Sequence, residues 1–295
     1  MALEKQPSDG RVTARVAVLG TGRMGSAIAR RLAEEGAELT IWNRTREHAV
    51  ALGVGRVADT PARAAAEAEI VFSSLTGPEA LREVYLGPEG ALASAGEKVF
   101  VEMSTAGPDA DREIEPAVLA RGSGFLAVPI LGAPTLMAAG TATLLAGGDP
   151  SAFERVRSVL ESLGTVRYVG RPADAARLKL IANSLLAIAA TGAAELQVAG
   201  EAAGLDPQDV FWVLERIAPG LGSRRDGYVG DGAQPTLFAL RDLRKDLHLA
   251  STSIPGDRGE RSLLAHTTRL VDEAAQQTPD EDIAALVRLY RRAQA

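Results

Sequence analysis

The chain has 295 residues, 46% hydrophobic and 24% charged, which is enough for two domains with substantial cores and an ordinary water-soluble composition. A formal charge of -6 and a pI near 5.3 argue against broad nucleic-acid binding and leave room for local anion sites. Cysteine is absent, which excludes disulfides, thiolate catalysis and cysteine zinc sites, and His48, His248 and His266 stand too far apart for a metal motif. No uninterrupted apolar run approaches about 18 residues, and the polar start from Met1 to Arg15 lacks the apolar core of a signal peptide. The expectation is a cytoplasmic protein without a membrane or nucleic-acid partner, whose residues 1–14 form a flexible tail.

Residues 15 to 46 spell a nucleotide-binding β-α-β unit. Val16-Ala17-Val18-Leu19 predicts a buried strand, Gly20-Thr21-Gly22-Arg23-Met24-Gly25 is a G-x-G-x-x-G turn, Ser26 to Glu35 predicts a helix, and Glu38 to Trp42 a second strand. In such a turn Gly20 permits the tight bend, Gly22 removes a side chain where pyrophosphate would touch backbone, and Gly25 lets helix and sheet pack closely. The helix N-terminus offers N–H groups and a partial positive charge to phosphate. A glycine-rich turn alone is weak evidence, but strand, helix and second strand stand here at the required distances.

The end of the second strand selects the dinucleotide. Asn43-Arg44-Thr45 replaces the acidic residue that holds the ribose hydroxyls of NAD, and a guanidinium can pair with a 2′-phosphate. This predicts NADP, with NADPH preferred over NADH. The competing reading is a solvated basic turn with Thr45 capping a helix.

Further along, Pro61 to Ala68 predicts a helix, Glu69 to Ser74 a strand, Pro78 to Tyr85 a helix, Lys98 to Glu102 a strand, Asp109 to Arg121 a helix and Gly124 to Ile130 a strand. Two more strands, Thr141 to Ala146 and Val166 to Val169, flank a helix at Pro150 to Leu163. The alternation predicts a doubly wound, mainly parallel Rossmann sheet over residues 15–170. From Pro172 strand signals almost vanish, and the Ala- and Leu-rich run from Ala173 to Ala203 predicts a long helix buried on several sides. Helices at Pro207 to Ile217, Phe238 to Thr252, Gly259 to Gln276 and Glu281 to Arg292 complete an all-α domain over residues 171–295, joined to the first by the long helix. So apolar a helical domain is expected to complete its core with a second subunit, as a homodimer.

Ligands bind at the carboxyl ends of the strands in such a sheet. The loops there include Ser74-Leu75-Thr76, Met103-Ser104-Thr105 and Leu131-Gly132-Ala133. Ser104 and Thr105 either face the nicotinamide or cap the helix that begins near Pro108. Lys179 and Asn183 stand four apart, hence on one helical face, among apolar neighbours. A lysine so placed can donate a proton to a carbonyl oxygen, although a lysine at a helix end that merely snorkels is the bland alternative. Phe238, followed at seven residues by Lys245-Asp246-Leu247, reads on its own as part of a charged, solvated helix face.

This succession resembles the β-hydroxyacid dehydrogenases, the group that includes 3-hydroxyisobutyrate dehydrogenase, tartronate semialdehyde reductase and glyoxylate/succinic semialdehyde reductases. The resemblance covers Arg15 to Tyr290 and rests on GTGRMGSAIARRL at 20–32, EMSTAGP at 102–108, the Lys179/Asn183 pair and KDL at 245–247. It implies a Rossmann domain, an all-helical domain and a catalytic lysine. Lys179 would be the general acid/base, Asn183 would position substrate and lysine, Thr105 would neighbour nicotinamide and substrate, and Lys245 would close over the cofactor. The expected cofactor contacts are Gly20, Gly22, Arg23, Met24, Gly25, Asn43, Arg44, Thr45, Leu75, Thr105 and Lys245. The expected substrate contacts are Ser104, Thr105, Leu131, Gly132, Ala133 and Phe238, and no metal is expected. The chain departs from the family in the segment Ala127-Val128-Pro129-Ile130-Leu131-Gly132-Ala133, where Leu131 replaces a serine that helps hold a substrate carboxylate. Backbone N–H groups at Gly132 and Ala133 remain for a carboxylate, and a less polar carbonyl compound gains plausibility.

The implied activity is NADPH-dependent interconversion of a small aldehyde or ketoacid and its hydroxy acid. Two alternatives stay open. An imine reductase shares the two-domain plan but generally carries Asp or Tyr where this chain has Lys179. A non-catalytic NADP-binding sensor would have no use for Lys179 and Asn183 together.

Overall fold

Short apolar runs bounded by Gly, Pro and Ser are buried on both faces only when helices cover a parallel sheet on its two sides. The computed structural model, which describes residues 14–94, 96–231, 233–256, 259 and 262–294, arranges the first part of the chain in this way. The expected N-terminal tail lies outside the described residues, Ala14 excepted. The chain divides into two compact units, Met1–Ala176 and Arg177–Ala295.

The first unit runs β1 (Arg15–Leu19), α1 (Arg23–Glu34), β2 (Glu38–Trp42), α2 (Arg46–Leu52), β3 (Arg56–Val57), α3 (Pro61–Ala66), β4 (Ile70–Ser73), α4 (Pro78–Leu86), β5 (Val99–Glu102) and α5 (Pro108–Leu119). It continues with β6 (Gly124–Ala127), β7 (Ile130–Leu131), α6 (Pro134–Ala138), β8 (Ala142–Gly148), α7 (Pro150–Leu163) and β9 (Gly164–Gly170). The sheet order is β3-β2-β1-β4-β5-β6-β8-β7, with β9 pairing β8. The chain therefore winds one way from β1 to β3 and the other way from β4, so the strand order reverses between β1 and β4, where such sheets bind ligand. Strand alternation separates two cores. Val16 and Val18 join Ile28, Leu32 and Phe72 on one face, while Ala17 and Leu19 join Val71, Tyr85 and Phe100 on the other.

The sheet departs from the expected pattern beyond β6. The single strand predicted over 124–130 is two, broken at Val128-Pro129, because proline cannot donate to a ladder. The chain then reverses, and β8 runs antiparallel to both β6 and β7. Short elements α2, β3 and α6 escape sequence periodicity because two to seven residues carry too little pattern. Helix α1 starts at Arg23 rather than Ser26, so the last residues of the glycine turn already form its first turn.

Helix α8 (Pro172–Ala202) continues from the first unit into the second, which holds α9 (Pro207–Ile217), α10 (Arg225–Val229), α11 (Leu240–Ser253), α12 (Leu263–Gln277) and α13 (Val287–Gln294). Ala187, Ala190, Ala194 and Val198 of α8 pack with Phe211, Tyr228, Leu240, Leu243, Leu247 and Val271, small residues on one helix admitting large ones from its neighbours. By length and composition α8 could cross a membrane, yet half of its most apolar window is buried within the protein. Its burial is also less complete than its sequence suggests, since Leu178, Ile181, Leu185 and Leu196 are exposed. Two predicted starts shift inward. Helix α12 begins after Ser262, whose hydroxyl accepts the N–H of Ala265, and α11 begins at Leu240 because Ala239 before it is extended and bridges Asp282. The predicted helix from Glu281 opens as a 3-10 turn, Ile283–Leu286, before α13.

Candidate functional site

The glycine turn between β1 and α1 shows which of its constraints come from the chain itself. Gly20 has φ +95°, and a Cβ there would strike the Ser74 carbonyl; a Cβ at Gly25 would strike the carbonyl of Gly20. Gly22 differs, because a Cβ there would meet nothing within 4 Å and its φ of -67° suits any residue. The fold itself imposes no glycine at 22, and its lack of a side chain leaves room for a group approaching from outside, as a pyrophosphate would. The first turn of α1 has no side-chain cap and no acidic residue, which leaves it receptive to an anion. The hydroxyl of Thr21 is buried without a partner at the same place. These residues fit a dinucleotide.

Asn43 holds this turn in position. Its Oδ1 accepts the N–H of Thr21 at 2.9 Å and its Nδ2 donates to the Thr45 carbonyl at 2.8 Å, so the side chain expected to contact ribose is engaged within the protein. Thr45 occupies the N-cap position of α2 but makes no side-chain cap bond. Arg46 pairs with Asp59 at 2.8 Å, whereas Arg44 is exposed and has no ion-pair partner among the described residues. Arg23 and Met24 form the exposed and half-buried start of α1.

At the carboxyl ends of β4 and β5 the loops are bonded to each other. Leu75 donates its N–H to Ser104 Oγ at 2.8 Å, and Ser104 donates its N–H to Glu102 Oε1 at 2.7 Å. Neither Ser104 nor Thr105 caps α5, whose N-cap is Gly107 without a side-chain bond. Leu131, expected in a loop, pairs with Thr143 in the β7–β8 ladder, followed by Gly132 and by Ala133 at the N-cap of α6.

In the second unit Lys179 and Asn183, one turn apart on α8, meet the helix α11. Asn183 Nδ2 donates to Asp246 Oδ2 at 2.6 Å and Lys245 Nζ to Asp246 Oδ1 at 2.6 Å, with Asp246 only 2% exposed. Burial lowers Lys179 to about 8, while Asp246 pulls it upward and the neighbouring Lys245 pushes it down. Burial likewise raises the Asp246 carboxyl, against the opposing pull of Lys245 and Lys179. Desolvation thus outweighs the pull of Asp246, and the Lys179 ammonium holds its proton less tightly than an ordinary lysine. Phe238 is half-buried before α11, and its N–H and that of Leu237 donate to Asp282 Oδ2 at 3.0 and 2.9 Å, while Arg224 Nε donates to Asp282 Oδ1 at 2.9 Å.

Asp246 is the residue that reading the sequence passed over. The turn Arg241 to Asp246 looks like a solvated charged face, but the buried positions of α11 are Leu240, Leu243, Asp246, Leu247 and Ala250, a helical stripe that includes the aspartate. That spacing was the available signal. Glu102 opens the EMSTAGP segment, yet its burial gave no sign in the sequence, because a single carboxylate at a strand end reads as a polar terminus.

Residues 15–170 match the family profile described as the NAD binding domain of 6-phosphogluconate dehydrogenase, and residues 173–290 that of NADP-dependent 3-hydroxyisobutyrate dehydrogenase. The cytokine-like nuclear factor N-PAC of Mus musculus is 30% identical over 285 residues, covering 94% of this chain and 51% of that protein. The chain spans about half the length of the curated relatives it matches. Among solved structures, Psf3 in complex with NADP+ and 2-OPP is similar with a TM-score of 0.85 at 27% identity, over 93% of this chain and 99% of that one. The 3-hydroxyisobutyrate dehydrogenase of Mycobacterium tuberculosis with L-serine gives 0.77 at 25% identity, over 95% and 100%. The chain belongs to the β-hydroxyacid dehydrogenase family.

Proposed function

We propose that this β-hydroxyacid dehydrogenase interconverts a small aldehyde or ketoacid and its hydroxy acid with NADPH, and that Lys179 is the general acid/base. The observation that carries the reading is the half-buried Lys179, lowered to about 8 by desolvation and placed one helical turn from Asn183, whose amide is bonded to the buried Asp246. In reduction the Lys179 ammonium gives its proton to the carbonyl oxygen, so the developing alkoxide charge meets a fixed cation. The nicotinamide, when bound, supplies or accepts the hydride. Asn183, held by Asp246, orients the same oxygen.

The preference for NADPH over NADH rests on Arg44, exposed without an ion-pair partner among the described residues, while Arg46 is tied to Asp59. Psf3 being bound with NADP+ agrees with it. Leu131 adds no hydroxyl to the substrate side, which favours a carbonyl compound less polar than a hydroxylated semialdehyde acid. Replacing Lys179 by Ala is expected to lower turnover by about 100-fold or more and to leave the dissociation constant for NADPH nearly unchanged. Unchanged turnover in Lys179→Ala would refute the assignment.

We further propose a homodimer formed through the second unit. Leu185 and Leu196 on α8 and Trp212, Val213 and Ile217 on α9 are large apolar residues at the surface, Ile217 being 84% exposed. Equilibrium sedimentation showing a monomer at micromolar protein would sink this proposal.

A further inference from the structure

Beneath the loops that follow β4 and β5 runs a connected set of buried polar side chains that the proposed reaction does not use. Ser73 ends β4 and Glu102 ends β5, and the parallel register sets them side by side. Ser73 Oγ lies 2.8 Å from Tyr85 Oη and donates a long bond of 3.5 Å to Glu102 Oε1. The same oxygen accepts the Ser104 N–H at 2.7 Å, and Ser104 Oγ in turn accepts the Leu75 N–H at 2.8 Å. One carboxylate thus reaches both loops, the second through the side chain of Ser104.

Burying a carboxylate is costly unless several donors meet it. Glu102 is 2% exposed, and the donors named are neutral groups at the ends of two strands. Asp111 of α5 lies near it, with Oδ1 buried and unpartnered. Burial and, second, the Glu102 charge push the Asp111 carboxyl well above the usual carboxylate range.

We infer that Glu102 is a positioning residue for hydride transfer: its carboxylate fixes the Ser104-Thr105 turn against the Leu75 turn, and so sets the wall that receives the nicotinamide half of the cofactor. The inference rests on the oxidoreductase activity proposed above. Ligands lie outside the carboxyl ends of strands in an open sheet of this order, and both turns sit there. Displacing a positioning group by about 1 Å can cost on the order of 100-fold in rate. The role needs an oxygen that accepts an N–H and no proton transfer, so glutamine can fill it and alanine cannot.

The test compares wild type with Glu102→Ala, Glu102→Gln and Ser104→Ala, each checked for folding by circular dichroism. Hydrogen exchange at the Leu75 and Ser104 amides is read in the protein without cofactor, and kcat and KM are read with NADPH. Glu102→Ala is expected to speed exchange at both amides and to lower kcat by roughly 100-fold with a small change in the KM of the carbonyl substrate. Glu102→Gln should restore slow exchange and most of kcat. Ser104→Ala should speed exchange at Leu75 and leave the residue-104 amide slow, and it carries the test if Glu102→Ala does not fold. Wild-type exchange and kcat in Glu102→Ala, a folded Glu102→Gln as impaired as Ala, or unchanged Leu75 exchange in Ser104→Ala would each overturn the inference. A wild-type protein that oxidises no NADPH with any carbonyl compound refutes the proposed function instead, and the exchange measurements still decide whether Glu102 holds the turns.

Discussion

Each unit buries a carboxylate at its candidate site, and the hydrogen bonds recorded for the two come from different kinds of donor. Glu102 in the first unit is met by a backbone N–H and a serine hydroxyl, whereas Asp246 in the second is met by the Lys245 ammonium and the Asn183 amide, with the charge of Lys179 close by. Neutral donors fix the carboxylate's direction without supplying a mobile proton, which suits a group whose task is geometry. Ammonium partners couple the carboxylate to groups that titrate, which suits a group whose task is to tune an acid.

The largest expected effect on this contrast comes from Asp246→Asn. Removing the charge that draws Lys179 upward leaves burial and Lys245 to lower it further below about 8. The alkaline limb of carbonyl reduction, where Lys179 loses its proton, should move to lower pH by on the order of one unit or more, visible in the pH dependence of kcat. A limb that stays in place would separate Asp246 from the lysine. Glu102→Gln is the control in the first unit, since it should not move that limb.

Next in size is cofactor choice. Replacing Arg44 by Asp should cut the preference for NADPH over NADH by roughly 10-fold or more, read as the ratio of kcat/KM values. If NADPH is not weakened relative to NADH, the 2′-phosphate is held elsewhere.

The smallest effect is on stability. The Asp111 carboxyl is raised well above its unfolded value of 3.8, so its contribution is full below that value and is lost as pH rises through the folded value. Asp111→Asn removes this dependence and should stabilise the protein by about 1 kcal/mol or more at pH 8, with little gain near pH 4. Thermal melts whose difference stays constant between those pH values would show that Asp111 is ionised in the native state.

The strands around the nucleotide turn were legible because each is a run of apolar residues ended by glycine or serine, a local pattern that needs no partner to be read. The proline break between β6 and β7 was legible in principle, since Pro129 cannot serve a ladder, but the reversal of β8 that follows depends on pairing across the sheet. At the candidate site, Lys179 and Asn183 announced themselves by a four-residue spacing. Asn43 was seen as a ligand contact, although both ends of its amide are used to hold the turn.

By itself the sequence determined the glycine turn, the order of strands and helices and the pairing of Lys179 with Asn183 on one helix face, all of which depend on neighbours within a few residues. Tertiary structure decided which polar groups are buried and which donors they meet. Asn183 meets Asp246 across 63 positions, Leu75 meets Ser104 across 29, and Arg224 meets Asp282 across 58. A carboxylate reads as a solvated charge until folding removes its water, and only the elements packed around it determine which donors replace that water.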